Sequence, residues 1–300
     1  MKISYYPGCT LKTKAKNLED SALASLAALG IEVEELERWN CCGAVFSLAD
    51  DDLIHQVAPV RDLIRARDAG ADKLTTLCAQ CYNVLARANR LMREDEEKRK
   101  TINLFMDEEV DYHGEVEVVH YLDLLRETVG WDGLRERVTV PLEGMKVAPF
   151  YGCSLLRPSE VAIGGEDGGA PRALQDFLTA LGATPVKFSA SEECCGAYEV
   201  LVNPVEGLKR AGVVLSSVQE SGADAIVLSC PLCEYNLGRK QPEIQAAVAG
   251  VRDIPVFYFT QLLAVALGLD VTAGRFELNI PSALKLLRDR KYIEAPATQV

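Results

Sequence analysis

The chain has 300 residues, long enough for about two domains, and its 48% hydrophobic and 25% charged residues are those of a folded globular protein, which excludes wholesale disorder. Its 44 acidic against 32 basic side chains leave a net charge of −12, which argues against nucleic acid as a partner. No apolar run reaches the ~20 residues of a bilayer span, and the first residues lack the apolar stretch of a secretory signal, so the expectation is a cytoplasmic protein without a membrane span.

In chain order, Ile3 to Tyr6 predicts a short strand, and Leu18 to Leu29 has the apolar spacing of a helix that Gly30 ends. Ile31 to Leu36 is strand-like. Beyond the vicinal pair Cys41-Cys42, Asp51 to Asp68 predicts an amphipathic helix and Lys73 to Leu77 a strand. Tyr82 to Met92 then predicts a helix that begins at the C-x-x-C of Cys78 and Cys81. Arg93 to Lys100 is almost entirely charged, as solvated helix ends are. The order repeats downstream, with helices expected over Ala173 to Leu181 and Val205 to Glu220 and strands over Ala225 to Ser229 and Ile254 to Phe259. Gly164 to Gly169, with four glycines in six residues, is expected to be a loop. The alternation predicts an α/β protein in which each cysteine motif lies at a strand end or in a loop.

The ten cysteines form two sets of five, Cys9, Cys41, Cys42, Cys78, Cys81 and Cys153, Cys194, Cys195, Cys230, Cys233, each written C, CC, CxxC. Their surroundings repeat as well. Tyr5-Tyr6-Pro7-Gly8-Cys9 answers Phe150-Tyr151-Gly152-Cys153, and Cys41-Cys42-Gly43-Ala44 answers Cys194-Cys195-Gly196-Ala197. Ala69-Gly70-Ala71-Asp72 and Ser221-Gly222-Ala223-Asp224 each precede the C-x-x-C, both motifs being 152 residues apart. The tails agree too, Val118 to Leu125 resembling Val256 to Leu263. Two duplicated domains are therefore expected, residues 1–142 and 143–300.

Clustered thiols in a reducing compartment more often bind metal or do redox chemistry than form disulfides. Softness alone leaves zinc, copper(I) and iron–sulfur open. Structural zinc and an ordinary [4Fe–4S] cube each take four ligands, so five per half leaves one thiolate over. Adjacent cysteines serve a single small ion poorly and reach two irons of an extended cluster more easily, and the duplicated pattern favours iron–sulfur over a zinc site or a dithiol.

The pattern resembles the cysteine-rich CCG domain family and, over nearly the whole chain, is similar to the B subunit of the heterodisulfide reductases. The residues that carry the resemblance are Gly8-Cys9, Cys41-Cys42-Gly43, Cys78-Ala79-Gln80-Cys81-Tyr82, Tyr151-Gly152-Cys153 through Arg157-Pro158-Ser159-Glu160, Cys194-Cys195-Gly196-Ala197 and Cys230-Pro231-Leu232-Cys233. It implies two duplicated CCG domains related by pseudo-twofold symmetry. It further implies one non-cubane [4Fe–4S] cluster on each five-cysteine set, with a disulfide substrate held between the clusters and cleaved reductively. A ferredoxin-like iron–sulfur subunit of the C type would deliver electrons, fed by a flavin-containing subunit of the A type that bifurcates electrons in the family. Methanogen members usually have proline after the first vicinal pair, where this chain has Gly43. That weakens transfer of the methanogen substrate, the mixed disulfide of coenzymes M and B. The chain itself has neither the bacterial ferredoxin run nor a G-x-G-x-x-G.

Among the three histidines, His120 is the candidate for proton delivery, set against an ordinary hydrogen-bonded ring. Arg157, fixed by Pro158, is the candidate cation for an anionic substrate, while Lys12, Lys14 and Lys16 are expected to be solvated. The alternative function is an electron-transfer subunit of a lactate, glycolate or succinate type of oxidoreductase complex, with substrate bound elsewhere.

Overall fold

The computed structural model describes residues 3–44, 53–164 and 172–294. Its first half runs β1 (Ile3–Tyr5), α1 (Gly8–Leu11), α2 (Lys16–Leu29), β2 (Glu34–Glu35), α3 (Val57–Asp68), β3 (Lys73–Thr76), α4 (Ala79–Glu94), α5 (Glu96–Phe105), β4 (Glu117–His120), α6 (Tyr121–Thr128) and α7 (Gly130–Glu136). The second runs β5 (Lys146–Pro149), α8 (Ala173–Ala180), β6 (Thr184–Pro185), α9 (Glu199–Val202), α10 (Pro204–Glu220), β7 (Ala225–Leu228), α11 (Pro231–Glu234), a π-turn over Tyr235–Arg239, α12 (Gln241–Ala247), β8 (Val256–Tyr258), α13 (Phe259–Ala266) and α14 (Pro281–Asp289). The predicted elements are present, with three adjustments. The strand expected over Ile31 to Leu36 shrinks to two residues, and the third helix enters through a 3-10 turn at Leu53–Gln56. The charged stretch from Arg93 to Lys100 is a junction between two helices, where the Asp95 side chain accepts from the Lys98 N–H. Residues 165–171, with most of the glycine-rich stretch, lie outside the described residues.

Each half builds a four-stranded, wholly parallel sheet of the same topology, β2-β1-β3-β4 and β6-β5-β7-β8. All four residues of β7 are buried, as expected of a parallel strand covered on both faces. In this order the chain leaves the first strand toward one edge and the third toward the other. The crevice beyond their carboxyl ends is where open α/β sheets bind ligands.

The described residues of Met1–Lys14, Ile31–Thr128 and Ser154–Gly168 form one compact unit, and those of Ala15–Gly30, Val129–Cys153 and Gly169–Val300 form the other. These units are drawn differently from the sequence halves, because each takes in a segment that follows the other half's first cysteine. In the second unit, α13 is buried along all eight residues and needs cover on every side. α2 supplies part of it through Leu18, Ala22 and Leu26, and Ser21 Oγ donates to Thr260 Oγ1 at 2.7 Å. Gly30, at φ +73°, ends α2 in the left-handed conformation that a residue with Cβ resists. In the first unit, Asn83 Nδ2 on α4 donates to the carbonyls of Ser154 (3.0 Å) and Arg157 (2.6 Å), and Ser154 Oγ donates to Gln80 Oε1 at 2.5 Å. Among the described residues, no helix is long and apolar enough to cross a membrane.

Candidate metal centres

The five cysteines of each set lie in a single unit, where the topology gathers them. In the first unit, Cys9 follows β1, Cys41 and Cys42 follow β2, and Cys78 and Cys81 follow β3, so all five stand beyond the carboxyl ends of three neighbouring strands. In the second, Cys153, the pair Cys194-Cys195, and Cys230 with Cys233 take the same places after β5, β6 and β7. Cys78 and Cys230 are the residues that cap α4 and α11. The positive end of the 16-residue α4 therefore faces the thiols of the first set and favours their ionised form.

The sulfurs form a string with the same order in both units. Cys9 Sγ lies 3.7 Å from Cys41 Sγ, and Cys42 Sγ lies 3.6 Å from Cys81 Sγ. Side-chain hydrogen bonds join Cys41 to Cys42 and Cys81 to Cys78, completing 9-41-42-81-78. The second string is 153-194-195-233-230. None of the ten is in a disulfide. In each string the central thiol is hydrogen-bonded to both of its neighbours and is the acidic one. Cys42 is drawn down to about 4 by Cys41 and Cys81, and Cys195 is drawn well below the usual thiol value by Cys194 and Cys233. Their partners Cys81 and Cys233 are pushed up in turn. Cys42, Cys78, Cys81, Cys195, Cys230 and Cys233 are buried, whereas Cys9 and Cys41 are exposed and Cys153 and Cys194 half-buried. Each string thus has a buried end and an accessible end.

The glycine before the first cysteine of each set sits against the last. A Cβ on Gly8, at φ +72°, would meet Cys81 Sγ at 3.0 Å, and one on Gly152, at φ +63°, would meet Cys233 Sγ at 3.5 Å. Backbone thus approaches the buried sulfurs in both units, and at Gly8 closely enough that a side chain would crowd the thiol. Among the described residues, no three His, Cys, Asp or Glu side chains are disposed around a single metal ion. Five soft donors strung side by side suit an extended iron–sulfur group better than one four-coordinate ion.

The loops that carry the vicinal pairs are braced differently. In the first unit Asn40, next to Cys41, is held by Tyr6 Oη donating to its carbonyl (2.7 Å), by its own N–H donating to Asp62 Oδ1 (2.9 Å), and by Arg65 donating to its Oδ1 (2.7 Å). Burial pushes the Asp62 carboxyl up to about 7. In the second unit, Ser217 Oγ on α10 accepts from the Ala190 N–H at 3.3 Å, and Asn236 Nδ2 donates to the carbonyls of Cys195 (3.3 Å) and Ala197 (3.0 Å). Sequence reasoning passed over these braces, and only the adjacency of Asn40 to Cys41 and the nearness of Asn236 to Cys233 signal them.

His120 ends β4 as Tyr258 ends β8, the alignment expected from the repeated tails. Its ring is fully buried, stacked edge-on to Tyr82, with Nε2 toward the Leu77 carbonyl (3.2 Å) and Nδ1 accepting from the Leu122 N–H (3.3 Å). Burial lowers its pKa to about 4, so the ring is neutral. It braces the carbonyl before Cys78, and this geometry, with both nitrogens on backbone, gives no support to the expected proton delivery. Arg157 is exposed, and its peptide bond to Pro158 is cis. Its carbonyl is anchored by Asn83 while its guanidinium is at the surface. Lys12 pairs with Glu35 at 2.6 Å, and Lys14 and Lys16 are exposed.

The model of the cysteine-rich domain named CCG matches this chain twice, over residues 3–86 and 147–238. The 8-methylmenaquinol:fumarate reductase membrane anchor subunit of Wolinella succinogenes is 32% identical over 95% of this chain and 99% of that one. The ferredoxin/F(420)H(2)-dependent CoB-CoM heterodisulfide reductase B subunit of Methanosarcina acetivorans is 31% identical over 95% of this chain and 96% of that one. Among solved structures, a hypothetical protein from Helicobacter pylori superimposes with a TM-score of 0.74 at 15% identity, covering 93% of this chain and 51% of that one, a likeness of fold. The duplicated match and the identity over almost the whole length show that the chain belongs to the cysteine-rich CCG domain family and is similar throughout to the heterodisulfide reductase B subunit.

Proposed function

We propose that the protein is the disulfide-cleaving iron–sulfur subunit of a heterodisulfide reductase-like complex, with one non-cubane [4Fe–4S] cluster held by each five-cysteine set. The observation that carries this reading is the pair of equivalent five-thiol strings, one in each unit, beyond the carboxyl ends of parallel strands. When bound, the clusters supply single electrons, and two electrons with two protons convert one disulfide into two thiols. The chain's own residues prepare for that charge. Buried Cys42 and Cys195 are the thiols most ready to ionise, and the α4 N-terminus favours thiolate in the first unit. Gly8 and Gly152 leave the buried sulfurs room to spread onto a cluster, and within each unit the more accessible pair, Cys9 with Cys41 and Cys153 with Cys194, marks the open end of its own string. Exposed Arg157 offers a cation for an anionic disulfide, and His120, buried and neutral, holds the Leu77 carbonyl beside Cys78. The proposed source of electrons is a ferredoxin-like subunit, fed in turn by a flavin subunit, and the proposed compartment is the cytoplasm.

The Wolinella relative favours a second reading, an electron relay within a quinol-linked reductase whose substrate binds on another subunit. One experiment separates the two. The protein is purified anaerobically, assayed for iron and sulfide, reduced, and exposed to a panel of disulfides while its paramagnetic spectrum is followed. About eight iron per chain, with reoxidation by a disulfide and a new thiol-dependent signal, supports the reductase. The same iron with no response to any disulfide favours the relay, and zinc without sulfide overturns both.

A further inference from the structure

The duplicated sites differ at one buried position beside the central sulfur. Asn236 lies 152 residues beyond Val84, the same spacing that separates Cys81 from Cys233, so the two residues are equivalent in sequence after their C-x-x-C motifs. Val84 is buried in the regular helix α4 and its side chain has no polar atom to donate. In the second unit the helix widens directly after α11 into a π-turn, and Asn236, only 1% exposed, stands in that turn. Its Nδ2 donates to Cys195 Sγ at 3.4 Å as well as to the Cys195 and Ala197 carbonyls. Ala197 is held with φ +40°, a backbone conformation that a non-glycine residue adopts only under constraint. Asn236 Oδ1 is buried and has no hydrogen-bond partner among the described residues, so the side chain is engaged through its amide N–H groups alone.

The nearest counterpart in the first unit is Tyr6, whose hydroxyl lies by Cys42. A hydroxyl has one proton, and that of Tyr6 is divided between the Asn40 carbonyl at 2.7 Å and the Cys42 sulfur. The primary amide has two protons for its three acceptors, one more than the hydroxyl, and the Cys195 sulfur shares an N–H with a carbonyl.

We infer that Asn236 is a positioning residue that tunes the second metal centre, its N–H···S hydrogen bond to Cys195 stabilising the more reduced, more negative state of whatever iron–sulfur group that sulfur ligates. An N–H donor to a ligating sulfur raises a cluster's reduction potential, because the added electron increases negative charge on the sulfur. The second centre is therefore easier to reduce than it would be with the apolar residue of the first, so duplication of the ligands is not duplication of the electronic environment. This rests on the iron–sulfur reading proposed above.

The test is an anaerobic potentiometric titration of the cluster-loaded full chain, followed by its low-temperature paramagnetic spectrum. Cys78→Ser and Cys230→Ser assign each wave to a unit by its disappearance. Asn236→Val is expected to make the second centre harder to reduce by about tenfold in its reduced-to-oxidised ratio at fixed potential, equivalent to ~59 mV for one electron, and to leave the first wave in place. Asn236→Asp keeps the shape, loses the donors and is expected to shift the same wave in the same direction. Val84→Asn, where it retains iron, is expected to move the first wave upward. Full iron in Asn236→Val or Asn236→Asp with both waves unmoved overturns the inference and leaves the cluster reading intact. Loss of the second centre's iron from both Asn236 variants also overturns it, since the amide then serves only to hold the loop. Absence of iron and sulfide from the unsubstituted protein overturns the cluster reading and the inference with it.

Discussion

Gly8→Ala probes whether the backbone before Cys9 sets the position of the buried sulfurs. At φ +72° an alanine costs about 1–2 kcal/mol of left-handed strain. The new Cβ would also stand 3.0 Å from Cys81 Sγ and 3.3 Å from Tyr6 Cε1. Cys81 has little room to retreat, because its sulfur is buried and hydrogen-bonded to both Cys42 and Cys78. Gly70→Ala, in the same unit, isolates the strain, since at φ +75° its Cβ meets nothing within 4 Å. Melting of the metal-free proteins is the first assay. At about 4 °C per kcal/mol for a unit of this size, Gly70→Ala is expected to lose several degrees and Gly8→Ala clearly more. Iron content after anaerobic reconstitution is the second. Gly70→Ala keeps the full complement, whereas Gly8→Ala falls to about half, because the second unit's own five thiols are untouched. Gly152→Ala falls between them, its Cβ making only ordinary contact with Cys233 Sγ at 3.5 Å and a tighter one with Phe150 at 3.3 Å. If Gly8→Ala reconstitutes like the unsubstituted protein and melts with Gly70→Ala, the close approach does not constrain the sulfur and the reasoning is refuted.

Two buried groups give the metal-free protein opposing pH dependences. Asp62, raised by burial from 3.8 to about 7, contributes stability that is present below pH ~4 and is lost as pH rises toward 7. His120, lowered by burial from 6.5 to about 4, contributes stability that is present above pH ~6.5 and is lost as pH falls toward 4. Urea titrations between these limits are expected to show Asp62→Asn gaining stability with rising pH relative to the parent and His120→Gln losing it, and parallel curves for all three would refute both assignments. Leu18→Ala is expected to cost about 2–5 kcal/mol, since the side chain is fully buried. Hydrogen exchange then accelerates in α13, its packing partner in the second unit, while β1, β3 and β4 keep their protection. Uniform acceleration across both sheets would show that α2 is not a local part of the second unit.

The amino-acid sequence by itself determined the duplication, the α/β class and the identity of the ten thiols, because these reside in local signals. Cysteine spacing, helical periodicity over Leu18 to Leu29 and the apolar run of β7 need no knowledge of distant partners. Gly30 ending α2 was legible for the same reason, since a left-handed residue at a helix end is a one-residue requirement. Tertiary structure alone decided which compact unit each segment joins. α2 packs on α13, more than 200 residues away in the chain, and amphipathic spacing reveals that a helix has an apolar face but not which surface covers it. The string order of the sulfurs, the approach of Gly8 to Cys81 and the Asp62 brace on Asn40 likewise arise only when three strand ends meet. His120 stood out as a candidate proton donor because histidine titrates near neutrality, and burial with both nitrogens on backbone removed that property. Asn236 passed unnoticed because its register depends on a π-turn, which shifts by one residue the face a side chain presents and leaves no mark in the spacing of the motif.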